Sequence, residues 1–192
     1  MRIVNAAGVL VVASLVMAGP ATAQPEQRVN AYGAAVKAFR DRVDAYLEVQ
    51  KKAAETVPTL KQTDDATKLT SREQALGEAI RQARAGAKAG DIFGTDLAPR
   101  IRDVIRKDWA QRSKADKAGL GENIPSGALA DVNATYPQAL PLATFPASLL
   151  AALPPLPEDI EYRFVGRHLI LRYAKANIIV DVLPNVLPGA RT

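Results

Sequence analysis

The sequence predicts an α+β fold in which three helices precede a small antiparallel sheet. Three observations carry this. A helical apolar repeat fills residues 27–56, two further amphipathic stretches follow before residue 112, and from residue 160 the pattern becomes strand-like alternation closed by turn signals. A proline-rich stretch joins the two halves.

Residues 1–23 read as a cleavable secretory signal. Arg2 supplies the positive start, Ala6 to Ala18 is apolar apart from Gly8 and Ser14, and Ala21-Thr22-Ala23 offers small residues before a cut at Gln24. The apolar run is well short of the roughly 20 residues that cross a bilayer. No later stretch is long enough either, so no membrane span is expected after cleavage. There is no twin arginine and no cysteine for lipid attachment. The expected product is a single domain, residues 24–192, in the periplasm or medium.

The chain has no cysteine at all. That excludes disulfides, thiol catalysis, c-type haem attachment, iron–sulfur clusters and cysteine-containing zinc sites. With one histidine, transition-metal sites also lack ligands, and no cofactor is expected. The formal charge is +5, one unit of it from Arg2, and the pI is about 9.6. Export argues against nucleic acid as the partner. Basic and acidic residues alternate rather than mass together, which favours weak attraction to an anionic cell-surface polymer or contact with an envelope protein.

In the first helix, Val29, Tyr32, Val36, Phe39, Val43 and Tyr46 recur at helical spacing, and Leu47 widens the stripe. Lys37, Arg40, Asp41, Arg42, Asp44, Glu48, Lys51 and Lys52 form the opposite, solvated face. Pro58 ends the helix, which at 1.5 Å per residue is roughly 45 Å long. Its spacing would suit an oligomer or partner surface. Packing within the chain is the preferred reading, because two further amphipathic helices are available.

Residues 59–69 read as a polar connector, and Thr70-Ser71-Arg72-Glu73 as a capping box opening a second helix. That helix runs to about Ala89, with Leu76, Ile80, Ala83 and Ala87 inward and Gly90 as terminator. Asp91 to Thr95 is a turn. A third helix starts at Asp96 or Leu97, with Pro99 in its first turn and Leu97, Ile101, Val104 and Ile105 on its stripe. Residues 113–125, with Gly119 and Gly121, read as loop.

Residues 137–157 hold six of the thirteen prolines and read as a strap over the helices, interrupted by a short helix over 146–153. A polyproline ligand for a partner domain is the alternative. Ile160 to Val165, His168 to Arg172 and Asn177 to Leu183 then form a three-stranded meander. Gly166-Arg167 makes its first turn.

The stretches Ala87-Lys88-Ala89-Gly90-Asp91-Ile92-Phe93, Glu161 to Leu169 and Ala176-Asn177-Ile178-Ile179-Val180-Asp181 resemble a group of exported bacterial proteins. The match covers about a third of residues 24–192. The resemblance implies bacterial export and one folding unit, and assigns no catalytic residue.

Among candidate sites, His168 is the only histidine and has Glu158, Asp159, Glu161 and Asp181 near it in sequence or on a neighbouring strand. A hydrolase-like enzyme would pair His168 with a carboxylate, Asp181 first. No Gly-x-Ser-x-Gly elbow accompanies it, so a structural histidine is preferred. Arg163, Arg167 and Arg172 are a possible anion-binding cluster. Asp64-Asp65 lacks calcium-loop spacing, Gly119 to Asn123 lacks a phosphate loop's glycines, and Asn133-Ala134-Thr135 is a chance glycosylation sequon. The preferred function is that of a non-catalytic interaction or structural protein of the bacterial envelope.

Overall fold

The computed structural model describes residues 25–124, 130–136 and 144–188. The expected leader lies outside these residues, as does the 137–143 part of the strap. Among the described residues there are five α-helices: α1 (Pro25–Glu55), α2 (Ala66–Ala83), α3 (Gly94–Gln111), α4 (Lys114–Asn123) and α5 (Ala147–Ala152). A three-stranded antiparallel sheet follows, β1 (Ile160–Val165), β2 (His168–Tyr173) and β3 (Ile178–Leu183), in that spatial order. The α+β class, the long N-terminal helix and the C-terminal meander therefore stand.

The two halves form one body. Phe39, Val43 and Tyr46 of α1, Leu76 and Ile80 of α2, and Leu97, Ile101 and Ile105 of α3 share a core with Tyr162, Phe164, Leu169, Leu171 and Val180 of the sheet. Phe39 stacks on Phe93 with centroids 6.2 Å apart. A smaller core covers the other sheet face, where Tyr136, Val132 and Ala134 pack on Val165, Ile170, Ile179 and Val182. The segment carrying them runs along the free edge of β3. Asn133 donates its amide to the Ile179 carbonyl at 2.8 Å, and Ile179 returns a bond of 2.8 Å to Ala134. With both faces covered, β2 can be apolar throughout its middle.

Several expectations need correction. On α1 the buried line is Ala35, Phe39, Val43, Tyr46 and Ala53, while Tyr32 is 42 % exposed. The repeat is right and its centre is rotated, because alanine as well as large side chains faces the core. α2 begins at Ala66, with Asp65 Oδ1 accepting from the amides of Thr67 (3.0 Å) and Lys68 (3.3 Å). Aspartate caps as well as threonine does, and Ala66, Lys68 and Leu69 are good helix formers, so the earlier start wins. α2 also ends early, at Ala83, where Arg84 leaves the helix and turns inward. Residues 114–123 are helical, not loop. Ser113 and Asp116 cap each other reciprocally, and an exposed short helix tolerates glycine at about 1 kcal/mol each.

The strap includes α5 close to its expected place. Phe145 stacks on Tyr162 (5.8 Å) and Phe164 (5.0 Å), and Tyr162 Oη donates to the Pro154 carbonyl at 3.0 Å. Gly166, at φ +53°, takes the positive-φ place in the β1–β2 turn.

Candidate functional site

The register aligns Glu161 with Arg172 and Arg163 with Ile170 on the outer sheet face. Glu161 bridges both arginines: Arg163 Nη2 donates to Glu161 Oε2 at 2.6 Å, and Arg172 Nη1 donates to Glu161 Oε1. Arg172 also donates through Nε to Asn177 Oδ1 at 2.9 Å and lies 5.2 Å above the Tyr136 ring. Burial alone would raise the Glu161 carboxyl, but hydrogen bonds from Arg163 and Arg172 outweigh it and hold the group below the ordinary range. Arg167 lies apart, in the hairpin turn, where Nε donates to the Leu187 carbonyl at 3.0 Å. The expected three-arginine cluster is therefore two arginines and a shared carboxylate.

His168 and Asp181 are not partners. Leu169 pairs with Leu183 and Leu171 with Asp181, which places His168 on the outer face and Asp181 toward the helices. His168 Nδ1 accepts from the Asn185 amide at 3.3 Å. A hydrolase-like dyad of these two residues is not assembled.

Asp181 has a different role. The register slips between Leu171 and Arg172 opposite β3, leaving Val180 as the extra residue of a β-bulge. The bulge turns Val180 and Asp181 to the same, helical side. Asp181 is fully buried, yet each carboxylate oxygen has two N–H donors. Oδ1 accepts from Gly90 (2.7 Å) and Val182 (2.8 Å), and Oδ2 from Ile92 (2.8 Å) and Phe93 (2.7 Å). Burial pushes the carboxyl above its ordinary range, and the N–H groups of Phe93, Gly90, Val182 and Ile92 only partly pull it back.

Two arginines brace this region, Arg42 at the turn and Arg84 at the bulge. Arg42 Nε donates to the Ile92 carbonyl at 2.7 Å, Nη2 to the Phe93 carbonyl at 3.2 Å and to Asp96 Oδ1 at 2.8 Å. Arg42 is thus a tie between α1 and the 90–96 turn, not a member of a freely solvated face. Beside it Gly94 sits at φ +70°, and a Cβ there would fall 2.2 Å from Arg42 Nη2. Arg84 donates to the Val180 carbonyl at 2.9 Å and to Asn133 Oδ1 at 3.2 Å, 5.0 Å above the Tyr46 ring. Asn133, the sequon residue, returns a 2.8 Å bond to the Arg84 carbonyl.

Sequence reasoning missed Arg42, Arg84, Asn133 and Asn177. One signal was present: a single acid inside the apolar run Ile178-Ile179-Val180-Asp181-Val182-Leu183 needs a partner, and Gly90 to Phe93 offers an amide-rich turn.

Several clefts open on the described surface. One, of about 390 Å³, lies between the end of α1 and the start of α2. A second, of about 520 Å³, borders β1 and includes Glu158, Glu161 and Arg163; a third, of about 600 Å³, lies between α1 and residues 151–155. His168 lines none of these. Among the described residues no group of three or more His, Asp or Glu could hold a metal ion, and no helix is long and apolar enough to cross a membrane. No protein-family model, curated protein or solved structure matches the chain.

Proposed function

We propose that this is an exported, non-catalytic interaction protein of the bacterial envelope, acting through its surface on an anionic cell-surface polymer. The observation that supports it is the engagement of Asp181: the best-placed acid for chemistry has its four acceptor positions filled by backbone amides. A general base needs a lone pair facing substrate. His168 and the arginines are likewise tied to neighbouring backbone or to Glu161. The charge pattern supports weak, salt-sensitive attraction rather than tight recognition.

Two measurements test this. N-terminal sequencing of the native product should find Gln24 first, in protein recovered from periplasm or medium. A membrane-bound form retaining residues 1–23 overturns the export reading. The protein should also co-sediment with isolated cell-wall polymer at low salt and be released at high salt. A hydrolytic activity abolished by His168→Gln at unchanged melting temperature overturns the non-catalytic reading.

A further inference from the structure

We infer that the cleft between the end of α1 and the first turns of α2 is a binding site for a small amphiphilic anion, an alkyl carboxylate of medium chain length. This stands independently of the interaction reading above. The cleft has a volume of about 390 Å³, within the range of small-ligand pockets. Val57, Pro58, Leu60 and Ala75 give it carbon walls. Pro58 ends the path of α1, and the chain must turn before Asp65 restarts a helix, so the cleft lies at this turn.

The polar part of the lining is three hydroxyl residues, Thr59, Thr67 and Ser71, and two cations. Lys68 and Arg72 both line the cleft, and its described lining contains no acid. The other two clefts differ: Glu158 and Glu161 line one, Asp41 and Asp44 the other. Of these three clefts, the first is the one that matches an anionic head. Lys68 pairs with Asp65 at 3.5 Å with its side chain 64 % exposed, a contact worth little, so the ammonium is able to turn to a ligand. Arg72 gives one of its five donors to the Pro58 carbonyl at 2.6 Å, which fixes the guanidinium at the cleft. Apolar walls take the chain, and the two cations take the carboxylate.

The test uses nitrogen-labelled residues 24–192, which include every described core side chain, titrated with hexanoate, octanoate and decanoate below their micelle concentrations. Saturable amide shifts are expected at Val57, Leu60, Thr67, Ser71 and Ala75. Affinity should rise about fourfold per added methylene until the cleft is full. Ala75→Trp fills the cleft and should abolish the shifts at an unchanged melting temperature. Lys68→Glu should weaken decanoate about tenfold while leaving decanol unaffected. The inference is overturned if no shift saturates, if shifts fall elsewhere, or if folded Ala75→Trp binds decanoate like wild type. It is equally overturned if anionic vesicles broaden these amides while free decanoate does not, which would make the surface a membrane contact.

Discussion

The two faces of the sheet each place a carboxylate among apolar neighbours, and they satisfy it by opposite means. On the inner face Asp181 takes four amides of the backbone, three of them from one turn about ninety residues earlier in the chain. On the outer face Glu161, its side chain 29 % exposed, takes two guanidinium groups from its own hairpin. Amides fixed by the fold cost no side-chain entropy to orient and cannot follow the acid if it moves. Arginines can re-pair or turn to water. The inner acid should therefore be structural and unforgiving, the outer one replaceable.

The largest test of this contrast is Asp181→Ala. It leaves buried amides without acceptors and should cost about 4 kcal/mol or more, read from urea unfolding. Asp181→Asn keeps the shape but presents an NH₂ to two donors, and should cost about 2 kcal/mol. Gly94→Ala comes next, at about 2 kcal/mol, since it strains a positive-φ position and drives a methyl into Arg42. Should Asp181→Ala and Glu161→Ala cost the same, the contrast between the faces fails.

Glu161→Gln should cost under about 1 kcal/mol at neutral pH, because the pair is partly solvated and Arg172 retains Asn177 and the Tyr136 ring. Its pH dependence sharpens the comparison. A carboxyl held below its ordinary value adds stability that is present above the unfolded pKa and lost as pH falls through the folded one. The Glu161→Gln penalty should thus be larger at about pH 6 than at about pH 3. Asp181, raised by burial, has the opposite sign: its contribution is greatest at low pH and falls as pH rises through the folded value. The Asp181→Asn penalty should shrink from about pH 4 to about pH 7. Parallel slopes for the two variants would contradict this.

The smallest effect is expected at Tyr46, whose buried hydroxyl has no hydrogen-bond partner among the described residues. Tyr46→Phe should change stability by less than about 0.5 kcal/mol, because nothing is left unpaired that was paired before. A loss like that of Asp181→Asn would mean that the hydroxyl takes part in the inner network.

What could be read in advance follows the range of the interactions. The meander was legible almost to the residue, because β-branched runs broken by Gly166 and by the Ala174–Asn177 turn are local signals. The repeat of α1 was legible too. The start of α2 was missed by five residues because Asp65 and Thr70 are both competent caps, and only packing of the added turn decides between them. Arg42 was misplaced because helical periodicity assigns a face, while its partners, Ile92 and Phe93, lie about fifty residues on. His168 and Asp181 were plausible partners on neighbouring strands until the bulge turned the acid to the other side.

The Gly90–Asp181 bond closes a loop of about ninety residues, and β3 also carries the edge on which residues 133–136 align. Closing so long a loop costs entropy that nothing repays until both ends meet, so this topology folds slowly relative to a helical bundle. During synthesis, the helical two-thirds of the chain has no sheet to close around until residue 181 has emerged. A copy stopped before β3 should accordingly be cut by proteases within its helices, while the complete chain resists.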